Sequence, residues 1–397
     1  MTTASQNLRL MKFVTVFECG GTERQFLNLG LALEGRGFDL RFGCLRKSGR
    51  LLEELIARNI PVDEYPLRSL YSARCLQKQV ELARDLVRQR TEIVHAYNLY
   101  GNVFAVPAAR MAGVPLVIAG IRDQGVYLTP WKRRVQRMAC RMADLVVVNA
   151  QAIKDWLVSD GYAPEKIVVI RNGIDLAKMN GELVPGGAAL RREFGIPPTA
   201  PLISTIARLC PSKGFDVALE ALPHIHARYP DARLLIVGEG LRSVNGSLVP
   251  DHTYRRELEL KAQSLGVADR VVFAGYRHDV PSILRQVDLS VQPSHTEGLS
   301  NSVLEAMAAG AAVVATPVGG TPEVMTHGET GWLTPPGNAK ALADGVCLLL
   351  DDPARRRRLG DAAAQHIRDR YSVAHMVDAT ARLYRDMLAR KRARLCA

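Results

Sequence analysis

The sequence predicts an α/β protein built from two Rossmann-like domains. Three observations carry that expectation. The chain has 397 residues, which at roughly 150 residues per domain is enough for two domains with cores of their own. Short β-branched apolar runs alternate with longer amphipathic stretches along its whole length, the β-α-β rhythm of parallel sheets covered by helices. That rhythm breaks once, in the Gly- and Pro-rich stretches Gly181 to Leu190 and Gly195 to Pro201, and then restarts.

In the first domain, residues 1–185, Phe13 to Phe17 reads as a strand and Thr22 to Gly35 as the helix after it, with Thr22 as N-cap and Glu23 in the first turn. Leu40 to Cys44 follows as the next strand, and Ile93–Ala96, Leu116–Ala119, Leu145–Val148 and Ile167–Ile170 read likewise, so that about seven strands fill this half. The second domain, residues 186–370, repeats the pattern at Leu202–Ile206, Arg233–Val237, Val271–Phe273, Leu289–Gln292 and Ala312–Ala315. Residues 371–397 follow as a C-terminal extension that ends in a basic tail. Two such units bind ligands at the carboxyl ends of their strands, and facing each other they leave a cleft there.

Composition narrows the class. With 47% hydrophobic and 23% charged residues and a mean hydropathy of -0.02, the chain is neither disordered nor collagen-like. Its 7 cysteines are odd in number, scattered and without a C-x-x-C pair, which points away from zinc and disulfides and towards a reducing compartment. Met1 to Leu10 lacks the order of a signal peptide, and the most apolar stretch, Gly101 to Ile121, is broken by Pro107, Arg110 and Pro115. The expectation is a cytoplasmic protein without a spanning segment. A net charge of +12 favours anionic partners, and the excess lies mainly in residues 1–185, with 26 basic against 18 acidic side chains.

The strongest local signal is Glu297-Gly-Leu-Ser-Asn-Ser-Val-Leu-Glu305. The first carboxylate falls in a loop after a strand and the second inside the following helix. Backbone N–H groups of Gly298, Leu299, Ser300, Asn301 and Ser302, with the positive end of the helix, suit a phosphate, and Glu305 one turn inside suits a ribose diol. The plainer reading makes Ser302 and Glu305 a capping box and Glu297 a solvated loop residue. Arg208 and Lys213, in Ala207-Arg-Leu-Cys-Pro-Ser-Lys-Gly-Phe-Asp216, flank a turn at a strand's carboxyl end, where both cations can face a diphosphate. Gly20 and Gly21 open the first helix and let a ligand approach the backbone. Val237-Gly-Glu-Gly240 is only a fragment of the dinucleotide fingerprint, its third position being Ser243.

Taken in order, Gly20-Gly21, Arg208, Lys213-Gly214, Val237-Gly-Glu-Gly240, Val271-Val-Phe-Ala-Gly275, Glu297 with Glu305, and Gly319-Gly320-Thr-Pro-Glu323 resemble the retaining GT-B glycosyltransferases of family 4. The resemblance covers essentially the whole chain and is most specific over residues 200–370. It implies the GT-B fold, with a last helix, Tyr371 to Leu388, crossing back onto the first domain. It also implies roles. Arg208 and Lys213 would neutralise the diphosphate of a UDP- or GDP-linked sugar, Glu297 would bind the transferred sugar, Glu305 the ribose, and the backbone of Gly275, Tyr276 and Arg277 the base. Fixed cations and a helix N-terminus would make a metal or other cofactor unnecessary, in keeping with the lack of a D-x-D sequence.

One departure stands out. Many relatives carry a histidine after the strand Leu116 to Gly120, where this chain reads Ile121-Arg122-Asp123-Gln124. Asp123 could orient the acceptor hydroxyl or the donor sugar, Arg122 could contact phosphate, and His95 could face the cleft or be a structural residue. In residues 131–142, Trp131, Val135, Met138 and Met142 share a helical stripe with Arg134, Arg137 and Arg141 along one flank, either a surface for an anionic membrane or a helix packed on the sheet with a solvated basic edge. Arg355 to Arg358 and Arg390 to Arg394 carry the same ambiguity. Sparse aromatics, 6%, argue against nucleic acid. The expected activity is retaining transfer of a sugar from a nucleotide donor to a glycan or lipid-linked acceptor of surface polysaccharide or lipopolysaccharide, at the inner face of the plasma membrane. Epimerisation or hydrolysis of a nucleotide sugar, and noncatalytic binding of anions, are the rivals.

Overall fold

The computed structural model describes residues 7–396 except 19, 68, 71, 181–186, 245 and 246. It divides into two units, the first Met1–Gly173 with Val373–Ala397, the second Ile174–Val244 with Leu248–Ser372.

The first unit holds a seven-stranded sheet of β1 (Leu8–Val14), β2 (Phe38–Cys44), β3 (Val62–Glu64), β4 (Ile93–Tyr97), β5 (Leu116–Ile121), β6 (Leu145–Val148) and β7 (Ile167–Val169). Their order is β3-β2-β1-β4-β5-β6-β7, and every pair is parallel. Every residue of β4 and β5 is buried, as expected of central strands covered on both faces. β1 begins five residues before the expected strand Phe13–Phe17 begins and ends three residues before it ends. Lys12 explains the misplacement: a charged residue in the run reads as a loop, yet it is 0% exposed here, in register with His95. The following helix is Gly21–Leu33, and its N-cap is Gly20, with no side-chain cap, so the expected capping role of Thr22 is not found.

The C-terminal helix Val373–Cys396 belongs to this unit. Met376, Val377, Tyr384 and Leu388 pack with Leu10, Ile93, Leu116 and Ile118, while Lys391 and Arg392 pair with Asp144 and Glu92 at 2.5 and 2.9 Å. Burying each such apolar side chain stabilises by roughly 1.5–3 kcal/mol against about 0–1 for an exposed ion pair, so apolar burial holds the helix in place. The basic tail is therefore partly structural. So is the Arg355–Arg358 run, where Arg356 reaches Asp288 at 3.3 Å and Arg355 reaches Asp352 at 3.5 Å.

The second unit holds β8 (Leu202–Ile206), β9 (Arg233–Val237), β12 (Val271–Gly275), β13 (Leu289–Gln292), β14 (Ala312–Ala315) and β15 (Trp332–Leu333), in the order β12-β9-β8-β13-β14-β15. A separate hairpin of β10 (Leu241–Val244) and β11 (Ser247–Pro250) and the two-residue β15 were not expected. The division between the units falls after Gly173 instead of after residue 185. Ile174 already belongs to the second unit, since its N–H donates to the Tyr371 carbonyl at 2.7 Å and it bridges Ser372. Of the expected linker, residues 181–186 lie outside the described residues, and Gly187–Glu193 is helical. Among the described residues no helix is long and apolar enough to cross a membrane.

Candidate functional site

The carboxyl edge of the second sheet is assembled from loops that touch through their backbones. After β8 the chain turns through Pro211–Lys213 into Gly214, whose φ of +68° is left-handed, and then into the helix Phe215–His226. A Cβ on Gly214 would lie 1.9 Å from the Pro293 carbonyl oxygen, so only glycine lets this turn rest against the loop after β13. The His295 N–H donates to the Ser212 carbonyl at 2.9 Å across the same contact.

That contact brings together two residues 84 positions apart. The Lys213 ammonium donates to both Glu297 carboxylate oxygens at 2.7 Å, and the Ser294 hydroxyl donates to Oε1 at 2.9 Å. The Glu297 side chain is 8% exposed and that of Lys213 22%, so the pair is shielded on one side and reachable on the other. Glu297 is not the solvated loop residue of the plainer sequence reading. Arg208, by contrast, is exposed, and among the described residues no acidic side chain pairs with it. One cation is thus held by a carboxylate and the other is available for a ligand.

Beyond Glu297, Gly298 and Leu299 lead to Ser300, which caps the helix Asn301–Ala308 by accepting the Val303 N–H at 3.4 Å. The plainer sequence reading, a capping box with Ser302 as the cap of Glu305's helix, is not what forms. Ser300 holds the cap position, and Glu305 lies half-buried in the second turn. The loop after β14 closes on the same point, the Gly320 N–H donating to the Gly298 carbonyl at 2.6 Å. A helix leaves its first N–H groups without intrahelical acceptors, so this edge combines donors, two cations and two carboxylates, as an anionic ligand bearing hydroxyl groups requires.

Gly275, Tyr276 and Arg277 lie at the end of β12, the edge strand, and all three are half-buried. The Arg277 guanidinium is committed elsewhere, at 2.8 Å from Asp279 and 2.5 Å from Glu193, and those hydrogen bonds raise its pKa further, Asp279 contributing most. The Gly238 N–H donates to the Gly275 carbonyl at 2.8 Å, so the glycines of Val237-Gly-Glu-Gly240 serve the close packing of loops.

The first unit places its expected residues differently. His95 does not line a cleft: it is 0% exposed, stacked on Tyr97, with Nδ1 at 2.6 Å from the Tyr384 hydroxyl. Burial first, then Lys12 and Arg122, push its pKa well below the ordinary value. Arg122 is 6% exposed and reaches Asn172 Oδ1 at 3.2 Å and the Tyr97 hydroxyl at 3.3 Å. The same hydroxyl lies 3.4 Å from Lys12 Nζ. Burial, and after it Arg122, lower the Lys12 pKa well below the usual lysine value. This cluster, with Tyr97 and Tyr384, was missed in the sequence; the misread first strand hid it. Asp123, half-buried, accepts the Gly125 N–H at 2.7 Å and the Tyr127 hydroxyl at 2.6 Å, so it shapes its own loop. Gly20 and Gly21 lie where the first helix begins, beyond the carboxyl end of β1.

The helix Pro130–Met142 does not pack on the sheet through its apolar stripe, the second of the two sequence readings. Its buried residues are Gln136, Ala139 and Cys140, whereas Trp131, Met138 and Met142 are exposed and Val135 is half-buried.

Residues 188–366 match the family model described as glycosyl transferases group 1, and residues 19–178 match that of glycosyltransferase family 4. A D-inositol 3-phosphate glycosyltransferase of Corynebacterium glutamicum is 32% identical over 62% of this chain and 58% of its own length. A GDP-mannose-dependent monoacylated alpha-(1-6)-phosphatidylinositol monomannoside mannosyltransferase of the same species is 29% identical over 66% of this chain and 68% of its own. The chain thus spans less than two thirds of the first of these relatives. In fold it is similar to Anabaena HepE in complex with UDP-glucose, with a TM-score of 0.84 and 22% identity over 96% of this chain and 100% of that one. It is also similar to WaaG, a glycosyltransferase involved in lipopolysaccharide biosynthesis, with a TM-score of 0.72 and 18% identity over 94% of this chain and 98% of that one.

Proposed function

Because the chain belongs to the group 1 and family 4 glycosyltransferases, we propose that it transfers a sugar from a UDP- or GDP-linked donor to a hydroxyl of a glycan acceptor, lipid-linked, in surface polysaccharide or lipopolysaccharide assembly. The observation that carries this reading is the Lys213–Glu297 pair, reachable from one side, on the loop that leads into the Ser300-capped helix. The donor's diphosphate lies against Arg208, Lys213 and the N–H groups from Gly298 to Asn301. Glu305 accepts the ribose hydroxyls, Glu297 the hydroxyls of the transferred sugar, and the base rests on the backbone from Gly275 to Arg277.

In the transfer step the bond between the anomeric carbon and the diphosphate oxygen breaks, and a bond to the acceptor oxygen forms. The acceptor's proton passes to the departing diphosphate on the same face, which retains the anomeric configuration. Charge develops on that diphosphate, and preorganised cations and N–H donors stabilise it more than they do the ground state. Those cations serve where a metal would otherwise, so activity is expected to survive EDTA. A D-inositol 3-phosphate acceptor and a GDP-mannose donor are named for relatives, and UDP-glucose for a structural neighbour; these set the panel to be tried.

The test is incubation with radiolabelled UDP- and GDP-sugars and a membrane extract, with and without EDTA. Label moving into a glycan supports transfer. An isomerised donor, free sugar without acceptor, or nucleotide binding without turnover would each replace it, and loss of transfer in EDTA restored by magnesium or manganese would overturn metal independence.

A further inference from the structure

Along the helix Pro130–Met142, Trp131, Met138 and Met142 are separated by seven and four residues, which at about 100° per residue places them within roughly 20° of one line. All three are exposed, at 59%, 57% and 43%, and Val126 and Tyr127 in the loop before the helix are exposed at 70% and 74%. The patch continues onto the neighbouring helix Asn98–Met111: Lys132 lies over the Tyr100 ring and the Arg110 side chain donates to the Met142 carbonyl, with Tyr100 and Met111 also exposed. Large apolar side chains aligned on an exposed face mark a surface that meets something.

Charge says what. Residues 124–143 contain five cations, Lys132, Arg133, Arg134, Arg137 and Arg141, and no Asp or Glu. Arg134 and Arg141 are exposed on the flank of the apolar line, and among the described residues no acidic side chain pairs with either. Arg137, which pairs with Asp160 at 3.7 Å, is tied to the fold. An apolar line beside unpaired arginines matches the boundary between acyl chains and anionic headgroups, where rings and thioethers sink in and guanidinium groups stay at the phosphates.

We infer that this face, Trp131, Met138 and Met142 flanked by Arg134 and Arg141, docks the protein on an anionic lipid bilayer. The surface starts at the loop after β5, the carboxyl edge of the first sheet, so a headgroup-borne acceptor is presented where Asp123 lies. In that respect the inference deepens the lipid-linked reading proposed above, but its test needs no turnover.

The full chain is sedimented with vesicles of phosphatidylcholine containing phosphatidylglycerol, and with phosphatidylcholine alone, while nucleotide binding is followed separately by calorimetry. Binding to the anionic vesicles only, weakened by salt, is expected. The chain has three tryptophans, so Trp156→Phe with Trp332→Phe isolates the emission of Trp131, which shifts to the blue on binding. Arg134→Glu with Arg141→Glu, checked for folding by circular dichroism, lowers partitioning by about tenfold or more. Failure to bind anionic vesicles at low salt, or binding that leaves Trp131 emission unmoved, overturns the inference. So does a dimer in sedimentation that Trp131→Ser, Met138→Ser and Met142→Ser together dissolve without changing vesicle binding, since the occupant is then a second copy. Nucleotide binding that fails while vesicle binding persists counts against the donor site alone.

Discussion

Both sheets gather cations towards their carboxyl ends, but they handle them in opposite ways. In the second unit Arg208 and Lys213 stand on loops, one exposed and one held by a reachable carboxylate. In the first, Lys12 sits within β1 and Arg122 directly follows β5, so both are nine-tenths or more buried among Phe26, Tyr97 and His95, and among the described residues no carboxylate bonds to either. A charge on a loop is solvated until a ligand replaces the water; a charge on a covered strand is desolvated permanently and must neutralise or find polar partners. The same residue types therefore serve binding in one unit and act as internal polar structure in the other.

The largest effect expected from this contrast is in turnover. Lys213→Ala and Arg208→Ala should each lower kcat by about 10²-fold or more, the scale for removing one preorganised charge donor. A kcat left unchanged by both would erase the distinction between the two edges. The next is affinity: Glu305→Ala should weaken binding of the nucleoside diphosphate by roughly 1.5–3 kcal/mol, the range for hydrogen bonds to a charged group. Calorimetry showing no change would remove the ribose role from that helix.

The smallest effect concerns the buried side of the comparison. The unfolded chain protonates Lys12 up to its ordinary 10.5, while the folded chain resists doing so. Stability relative to Lys12→Met therefore rises with pH in the window below 10.5, by at most about 1.4 kcal/mol per unit. His95 acts at the acid end: its lowered pKa makes wild type lose stability as pH falls below 6.5, a loss that His95→Phe should diminish. Urea unfolding across pH measures both. Parallel stability curves for wild type and Lys12→Met would mean the lysine is charged in the fold.

What the sequence disclosed follows the same division. β8, β9, β13, β14 and β6 have the bounds read from their apolar runs, because no charged residue falls inside them as Lys12 falls inside β1; Arg233 only opens β9, and the polar residues of β8 and β13 are uncharged. β1 was displaced because Lys12 breaks its run, and the cluster around Tyr97 went with it. Glu297 and Lys213 were each legible from their loops, yet their pairing was not, since it depends on Gly214 resting on the Pro293 carbonyl. The choice between Ser300 and Ser302 as cap turns on a backbone angle that both residues can adopt. The stripe of Trp131 had the period of a core-facing helix; the face that is buried is marked only by the small residues Ala139 and Cys140 and by Gln136.

The first unit is discontinuous in the chain, and that has a consequence for its biosynthesis. Its last strand ends at Val169, but the helix that covers Leu10, Ile93, Leu116 and Ile118 begins at Val373. At ~5–20 residues per second, a ribosome needs roughly 10–40 s to translate what lies between. Throughout that interval one face of the nascent first sheet lacks its partner, while the second unit, encoded between the two pieces, is already complete when the covering helix emerges. The half of the protein that is made first is the half that must wait.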